Sequence, residues 1–274
     1  MTKRRVCIVT GTRAEYGLFL PIMKKIKTSN FLKLQVIATT MHFSEEFGNT
    51  YQQIEKDGFS IDEKIENLLS SDSKSSVAKS TGLATILLSD AFLRLKPDVV
   101  LLLGDRFETH AAATTAMLMN IPIAHIHGGE VTEGAVDEQI RHSITKMSYL
   151  HFVSNCEYRN RIIQMGESPD MVFTTGAPGI DNIVNMSLLS KNDLEKELDW
   201  KITEPTALFT YHSETLSMAG VRDKILKILK VIRNLDINVL FTYANSDEGG
   251  RIINSEIEKF ASSDRDKYLV VKSL

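Results

Sequence analysis

Carboxylates, histidines and arginines gather in this sequence at points where an apolar run gives way to a glycine-bearing turn. Asp105 and Arg106 follow the run 99–103, in Leu103-Gly-Asp-Arg-Phe-Glu108. An acid beside a base at one turn suits proton transfer by Asp105 and anion holding by Arg106. Local sequence also offers Asp105 as the N-cap of a helix over 107–119, and the two roles are compatible. The next apolar run leads into His125-Ile-His-Gly-Gly-Glu130 and then Asp137-Glu-Gln-Ile-Arg-His142. Two histidines and four carboxylates (Glu130, Glu133, Asp137, Glu138) crowd this glycine-rich loop and the residues after it. Acid/base work by Glu130 and Asp137 is the favoured reading, since catalytic groups concentrate on such loops. His125 and His127 are read as part of an acid/base cluster rather than as ligands of one shared metal ion. His142 falls inside the following helix, where packing or capping accounts for it.

Two further turns carry groups suited to anions. The first run ends in Thr10-Gly-Thr-Arg-Ala-Glu-Tyr-Gly17, where glycine admits a ligand to the backbone and a helix start offers free N–H groups. Arg13 adds a planar fork for phosphate, with solvation or a pair with Glu15 as the competing reading. The turn is not Gly-x-Gly-x-x-Gly, so a dinucleotide fingerprint is absent. Late in the chain, His212 follows a strand-like run over 206–211, and Ala244-Asn-Ser-Asp-Glu-Gly-Gly-Arg251 follows another. Asn245 and Arg251 form a second anion-holding turn. Two such half-sites point to a nucleotide sugar or a similar diphosphate.

The elements that must position these groups alternate strand and helix. Short continuous Val/Ile/Leu-rich runs at 6–10, 34–40, 99–103, 122–126, 150–154 and 172–175 are separated by helical periodicity at 18–27, 77–95, 110–119, 138–147 and 157–165. Continuous rather than alternating apolar strands are what a parallel sheet buried on both faces requires. The expected fold is α/β, a doubly wound sheet whose ligand lies beyond the strand carboxyl ends. Gly176-Ala-Pro-Gly-Ile-Asp181 interrupts the rhythm and is taken as the hinge, giving a catalytic domain over 1–178 and a second domain over 179–274. After it the pattern yields three strands (206–211, 238–243, 267–271) and two helices (218–234, 250–262), so the second domain is expected to be incomplete. The chain of 274 residues is 43% hydrophobic and 24% charged, with a net charge of −3. That composition excludes a disordered or fibrous chain and gives no general field for nucleic acid. No run has the length of a membrane span or a signal-peptide core, so a cytoplasmic chain is expected. Cys7 and Cys156 make no disulfide framework and are read as reduced, packed thiols.

Taken together, Gly11-Thr-Arg-Ala-Glu-Tyr-Gly17, Gly104-Asp-Arg-Phe-Glu108, His125-Ile-His-Gly-Gly-Glu130, the run from Asp137 to Ser148, Tyr211-His-Ser-Glu-Thr-Leu216 and the turn opening at Asn245 resemble the hydrolysing UDP-N-acetylglucosamine 2-epimerases. The resemblance runs through essentially the whole chain in order. It implies two Rossmann-like domains in the glycosyltransferase-B arrangement, and conversion of UDP-N-acetylglucosamine to UDP and N-acetylmannosamine. It implies Asp105, Glu130 and Asp137 as the proton-transferring carboxylates, with His212 assisting or holding the diphosphate. Arg13, Arg106, Asn245 and Arg251 would bind UDP. No metal or redox cofactor is implied, and the family's dimers or tetramers make a homo-oligomer the expectation. The family pattern continues beyond residue 274 with further β/α units, among them a Gly-Asn-Ser-Ser-Ser-Gly turn on the diphosphate and a helix returning to the first domain. Two other readings stand beside this one: the same reaction on a UDP- or GDP-linked 2,4-diacetamido-2,4,6-trideoxyglucose, as in legionaminic acid synthesis, and a truncated, inactive binder of nucleotide sugars.

Overall fold

The computed structural model describes residues 2–69, 71, 73–185, 187–212, 220–244 and 249–272. The chain divides into two compact units, Met1–Leu69 with Ser75–Asn185 and Ser70–Lys74 with Met186–Leu274. In chain order the first unit runs β1 (Arg4–Thr10), α1 (Arg13–Thr28), β2 (Leu32–Thr39), α2 (Tyr51–Lys56), β3 (Glu63–Ile65), α3 (Lys74–Leu95), β4 (Val99–Leu103) and α4 (Phe107–Leu118). It continues with β5 (Ile123–Ile126), α5 (Asp137–Met147), β6 (Leu150–Val153), α6 (Cys156–Gln164), β7 (Val172–Thr174) and α7 (Pro178–Asn185). Its seven strands form one sheet in the order β3-β2-β1-β4-β5-β6-β7, with every pairing parallel.

The reason the strands read as unbroken apolar runs is visible in the packing. Along β1, Cys7 and Val9 enter one core with α3, α4 and α5, while Val6 and Ile8 enter the other with α1. On β4, Val100 and Leu102 go to the first core and Leu101 and Leu103 to the second. Successive side chains of a strand point to opposite faces, so a sheet with helices on both faces needs an apolar residue at every position. Each fully buried Phe19, Phe92 or Leu88 contributes about 1.5–3 kcal/mol through removal of its side chain from water. Cys7 belongs to this core and its thiol is pushed far up by burial. Cys156 is exposed at the start of α6, so the expectation of a packed thiol fails there.

The two units part after Asn185 rather than after residue 178. The Gly176–Asp181 stretch read as a hinge opens α7 instead, with Pro178 as its first residue, a place proline favours because no intrahelical N–H is lost. Asn182 Nδ2 donates to the Gly17 carbonyl at 2.6 Å, which fixes α7 on α1.

The second unit comprises α8 (Lys191–Leu198), β8 (Thr206–Phe209), α9 (Val221–Arg233), β9 (Asn238–Thr242), α10 (Gly250–Ala261) and β10 (Tyr268–Val271). Its parallel sheet runs β10-β9-β8. Val221, Ile225, Leu229 and Ile232 of α9 recur at helical spacing and pack with Val239 and Phe241 of β9 and Ile253 and Ile257 of α10. Trp200, just after α8, is buried, its Nε1 donating to the Asp266 carbonyl at 3.0 Å. Among the described residues, no helix is long and apolar enough to cross a membrane.

Candidate active site at the carboxyl ends of β1, β4 and β5

The chain leaves β1 toward β2 on one side and later enters β4 on the other, so a topological switch point lies between β1 and β4. Both following turns carry predicted site residues. In the β1–α1 turn, Thr12 caps α1 and receives the Glu15 N–H on its hydroxyl at 3.2 Å. Glu15 Oε2 accepts in return from the N–H groups of Gly11 at 2.7 Å and Thr12 at 3.2 Å, completing a capping box. These backbone donors, expected to face a ligand, are therefore engaged by the chain's own carboxylate. Burial and the neighbouring Glu108 push the Glu15 carboxyl up to about 7. Arg13 makes no pair with Glu15. Its guanidinium carbon lies 5.9 Å from the Tyr16 ring centroid, and among the described residues no carboxylate forms a salt bridge with it. His42, bonded to the hydroxyls of Thr10 at 3.1 Å and Thr50 at 2.8 Å, is held at about 3 by burial and by Arg13, and so is neutral.

In the β4–α4 turn Gly104 takes φ 77°, a left-handed conformation that glycine adopts without steric cost. The residue at the N-cap of α4 is Arg106, so Asp105 does not serve as the cap. The local rule gives way because Asp105 turns its carboxylate to Arg141 of α5, where it accepts from Nη2. Arg106 is also drawn away from a simple anion-holding role, since its Nε donates to the buried Glu108 at 2.7 Å.

The turn after β5 brings the remaining groups together. His125 is fully buried, and its Nε2 lies 2.7 Å from the Gly104 carbonyl. Burial holds it at about 3, so the neutral ring donates through Nε2 and ties the β4 turn to β5. His127 stands at φ 64°, uncommon for a residue with a side chain, and its Nδ1 lies 2.6 Å from Glu130 Oε1. Glu130 also accepts from Ser154 Oγ at 3.2 Å and from Arg141 Nη1 at 3.3 Å. Arg141 is the junction: it bonds Asp105, Glu130, the His127 carbonyl at 2.9 Å and Thr132 Oγ1 at 3.1 Å. Sequence reasoning placed Arg141 within a helix over 138–147 without a role and passed over Ser154. His142 lies within α5 and pairs with Glu138 one turn away at 3.1 Å.

Burial pushes Asp105 up to about 6, and Asp137 and Glu130 add to that, against the opposing pull of Arg141. Glu130 is also penalised by burial, but His127 and Arg141 outweigh this and hold it below its ordinary value. Two carboxyl groups on one guanidinium are thus separated in acidity, an arrangement that lets one donate a proton while the other accepts. Asp137 opens α5 and acts on Asp105 through its charge.

His212 and Arg251 belong to the second unit and both are exposed, His212 beyond β8 and Arg251 in the first turn of α10. Asn245 lies outside the described residues. Ahead of that turn, Ala244 is fixed by Asn254, which accepts its N–H at 2.7 Å and donates to its carbonyl at 3.3 Å.

A Rossmann-like parallel sheet with a carboxylate–arginine cluster at its switch point defines an α/β protein whose candidate ligand site lies at the carboxyl ends of its strands. The sequence model of the family described as UDP-N-acetylglucosamine 2-epimerase matches residues 24–274, and the chain belongs to that family. It is 45% identical over 275 residues to the GDP/UDP-N,N'-diacetylbacillosamine 2-epimerase (hydrolyzing) of Campylobacter jejuni, covering 100% of this chain and 71% of that protein. It is 35% identical to the Legionella pneumophila UDP-N,N'-diacetylbacillosamine 2-epimerase (hydrolyzing), over 94% of this chain and 68% of the relative. In structure it is similar to the Neisseria meningitidis UDP-GlcNAc 2-epimerase solved with UDP-GlcNAc, at a TM-score of 0.77 and 21% identity, across 98% of this chain and 72% of the other. That likeness is one of fold.

Proposed function

We propose that this protein is a hydrolysing 2-epimerase acting on a UDP- or GDP-linked N,N'-diacetylbacillosamine, a 2,4-diacetamido-2,4,6-trideoxyhexose. The observation that carries the reaction class is the Arg141 junction, which holds Asp105 and Glu130 side by side with unlike acidities. The 45% identity to the Campylobacter jejuni enzyme supports the sugar. In the proposed reaction a base takes the proton from C2 of the sugar. The C2–H electron pair becomes a C1=C2 double bond, and the nucleoside diphosphate leaves from C1 with its bonding pair. Water then adds at C1 while C2 regains a proton on the other face. Asp105, Glu130 and Asp137 are the carboxylates assigned to proton handling, directly or through a neighbouring group, and positive charge is needed where the diphosphate departs. Arg13 is assigned to that diphosphate, with Arg106, His212, Asn245 and Arg251 as the further groups the motif assigns. A second reading keeps the reaction and takes UDP-N-acetylglucosamine, giving N-acetylmannosamine; the description of the matching family favours it.

Proton NMR in D2O tests both. The chain is incubated in parallel with UDP- and GDP-N,N'-diacetylbacillosamine and UDP-N-acetylglucosamine. Free sugar inverted at C2 and carrying deuterium there, together with released nucleoside diphosphate, is the expected result from a diacetylbacillosamine sample. Product from UDP-N-acetylglucosamine alone selects the second reading, and intact substrate in all samples removes the assignment.

A further inference from the structure

The Glu130 carboxylate occupies a position that leaves it little freedom to meet a substrate. One oxygen takes His127 Nδ1 at 2.6 Å and Ser154 Oγ at 3.2 Å; the other takes Arg141 Nη1 at 3.3 Å. The ring bonded to it, although less exposed than the 23% of Glu130, keeps one nitrogen unengaged. His127 presents 15% of its side-chain surface, and among the described residues its Nε2 has no hydrogen-bond partner. The backbone that aims the ring is held in a left-handed conformation, φ 64°, followed by Gly128 and by Gly129 at φ 73°. The His127 carbonyl is fixed by Arg141 Nη1 at 2.9 Å, and the Gly129 carbonyl by Arg161 Nη1 of α6. A residue with a side chain held at positive φ by two arginines on two helices is a conformation the surroundings impose, and such positions gather where function requires a particular aim. With Glu130 ionised, its oxygen must accept a proton from Nδ1. That fixes the tautomer: Nδ1 carries the hydrogen and Nε2 carries the lone pair, the form in which an imidazole acts as a base.

We infer that His127 is a catalytic base of this site, receiving the sugar C2 proton on Nε2, and that Glu130 is the positioning residue that orients the ring and fixes its tautomer. The inference rests on the proposed 2-epimerase reaction and deepens it. The proton lost from C2 goes to Nε2, the C–H pair forms the C1=C2 double bond, and the diphosphate departs with the C1–O pair, so charge and atoms balance without any further reactant. His125, the histidine two residues earlier, has no such role because its buried ring is spent on the Gly104 carbonyl at 2.7 Å.

His127→Gly is the informative variant, because glycine adopts the left-handed backbone more easily than histidine and the loop should keep its shape. It should lower kcat at least about a hundredfold, as removal of a general base does, with KM changed far less. Added imidazole should restore a concentration-dependent part of that rate. Glu130→Gln should lower kcat by a smaller factor and not respond to imidazole. A His127→Gly rate within about threefold of the parent chain, or a loss that imidazole leaves untouched, overturns the assignment. Nitrogen-15 NMR of the intact chain supplies a readout independent of turnover: in the neutral His127 ring, the hydrogen is expected on Nδ1 and the lone pair on Nε2. A ring protonated on Nε2 and bare at Nδ1 overturns the inference even if no nucleotide sugar is consumed. Absence of turnover with the expected tautomer present counts against the reaction class and leaves the oriented base standing.

Discussion

Gly11 lies so close to Glu108 that a Cβ on it would stand 2.3 Å from Glu108 Oε1. The glycine is there for space rather than for a left-handed backbone. Its missing side chain lets the buried carboxylate of α4 slide beneath the β1–α1 turn, and from there Glu108 holds Arg106 Nε at 2.7 Å. One small residue after β1 thus sets the position of an arginine after β4, across the switch point of the sheet.

Gly11→Ala should therefore cost stability through overpacking, about 1–3 kcal/mol, with Arg106 displaced as well. Thermal unfolding of Gly11→Ala beside the parent chain checks this, and Glu108→Asp in the same background should recover part of the loss by withdrawing the crowded oxygen. A melting temperature unchanged by the alanine would show that the turn can yield without cost.

Arg141→Met retains the length of the side chain and removes its charge, leaving Asp105 and Glu130 adjacent with no cation between them. Removing one partner of a largely buried ion cluster typically costs about 3–5 kcal/mol, and the partial exposure of Asp105 (17%) and Glu130 (23%) places this variant at about 3 kcal/mol. Urea unfolding at pH 7 should show that loss. At pH 4.5 it should be smaller, because Asp105 then carries a proton. Equal losses at both values would contradict the charge argument.

The raised pKa of Asp105 makes a prediction whose sign is fixed. Its carboxyl moves from 3.8 up to about 6 because burial outweighs Arg141. A proton held more tightly in the folded chain than in the unfolded one stabilises the fold fully below pH 3.8, and that stability is lost as pH rises through 6. Glu15, raised from 4.5 to about 7, acts in the same direction. Asp105→Asn removes the Asp105 part, so its stability relative to the parent chain should improve between pH 4 and pH 7, by about 2–3 kcal/mol. Denaturant unfolding of both chains at several pH values measures this, and a pH-independent difference would refute it.

The sheet was legible because burial on both faces forces near-continuous apolar runs along β1, β4 and β5. β3, Glu63–Ile65, left no such trace: a three-residue edge strand needs only Ile65 in the core. α7 was hidden by its own start signal, since Gly176 and Pro178 mark a break as readily as a helix beginning. The turns of the candidate site were legible by composition, but their wiring was not. Asp105 and Arg141 are 36 residues apart in sequence and meet only because β4 and β5 are neighbours, so local capping rules gave Asp105 a role the sheet overrides. Likewise, Arg106 looked available for an anion because Glu108 could not be seen turning back beneath Gly11.

Arg13 differs from Arg106 and Arg141 in the one respect that bears on ligand binding. Those two are tied to carboxylates of the first unit, whereas no salt bridge to Arg13 exists among the described residues. It stands at the first position of α1, beyond β1, over the ring of Tyr16, whose hydroxyl donates to Asp57 at 2.6 Å. A cation positioned by an aromatic face and not neutralised by the fold is suited to a diphosphate. Arg13→Ala should weaken UDP binding about tenfold to a hundredfold, equivalent to one or two charge-assisted hydrogen bonds. Because the side chain is partly exposed and only its contact with the face of the Tyr16 ring is lost, the melting temperature without ligand should stay within about 2 °C of the parent. Titration calorimetry with UDP, beside thermal unfolding without it, reads the two quantities separately. An unchanged dissociation constant would return Arg13 to a solvated role, and a large fall in melting temperature would make it a structural residue of the β1–α1 turn.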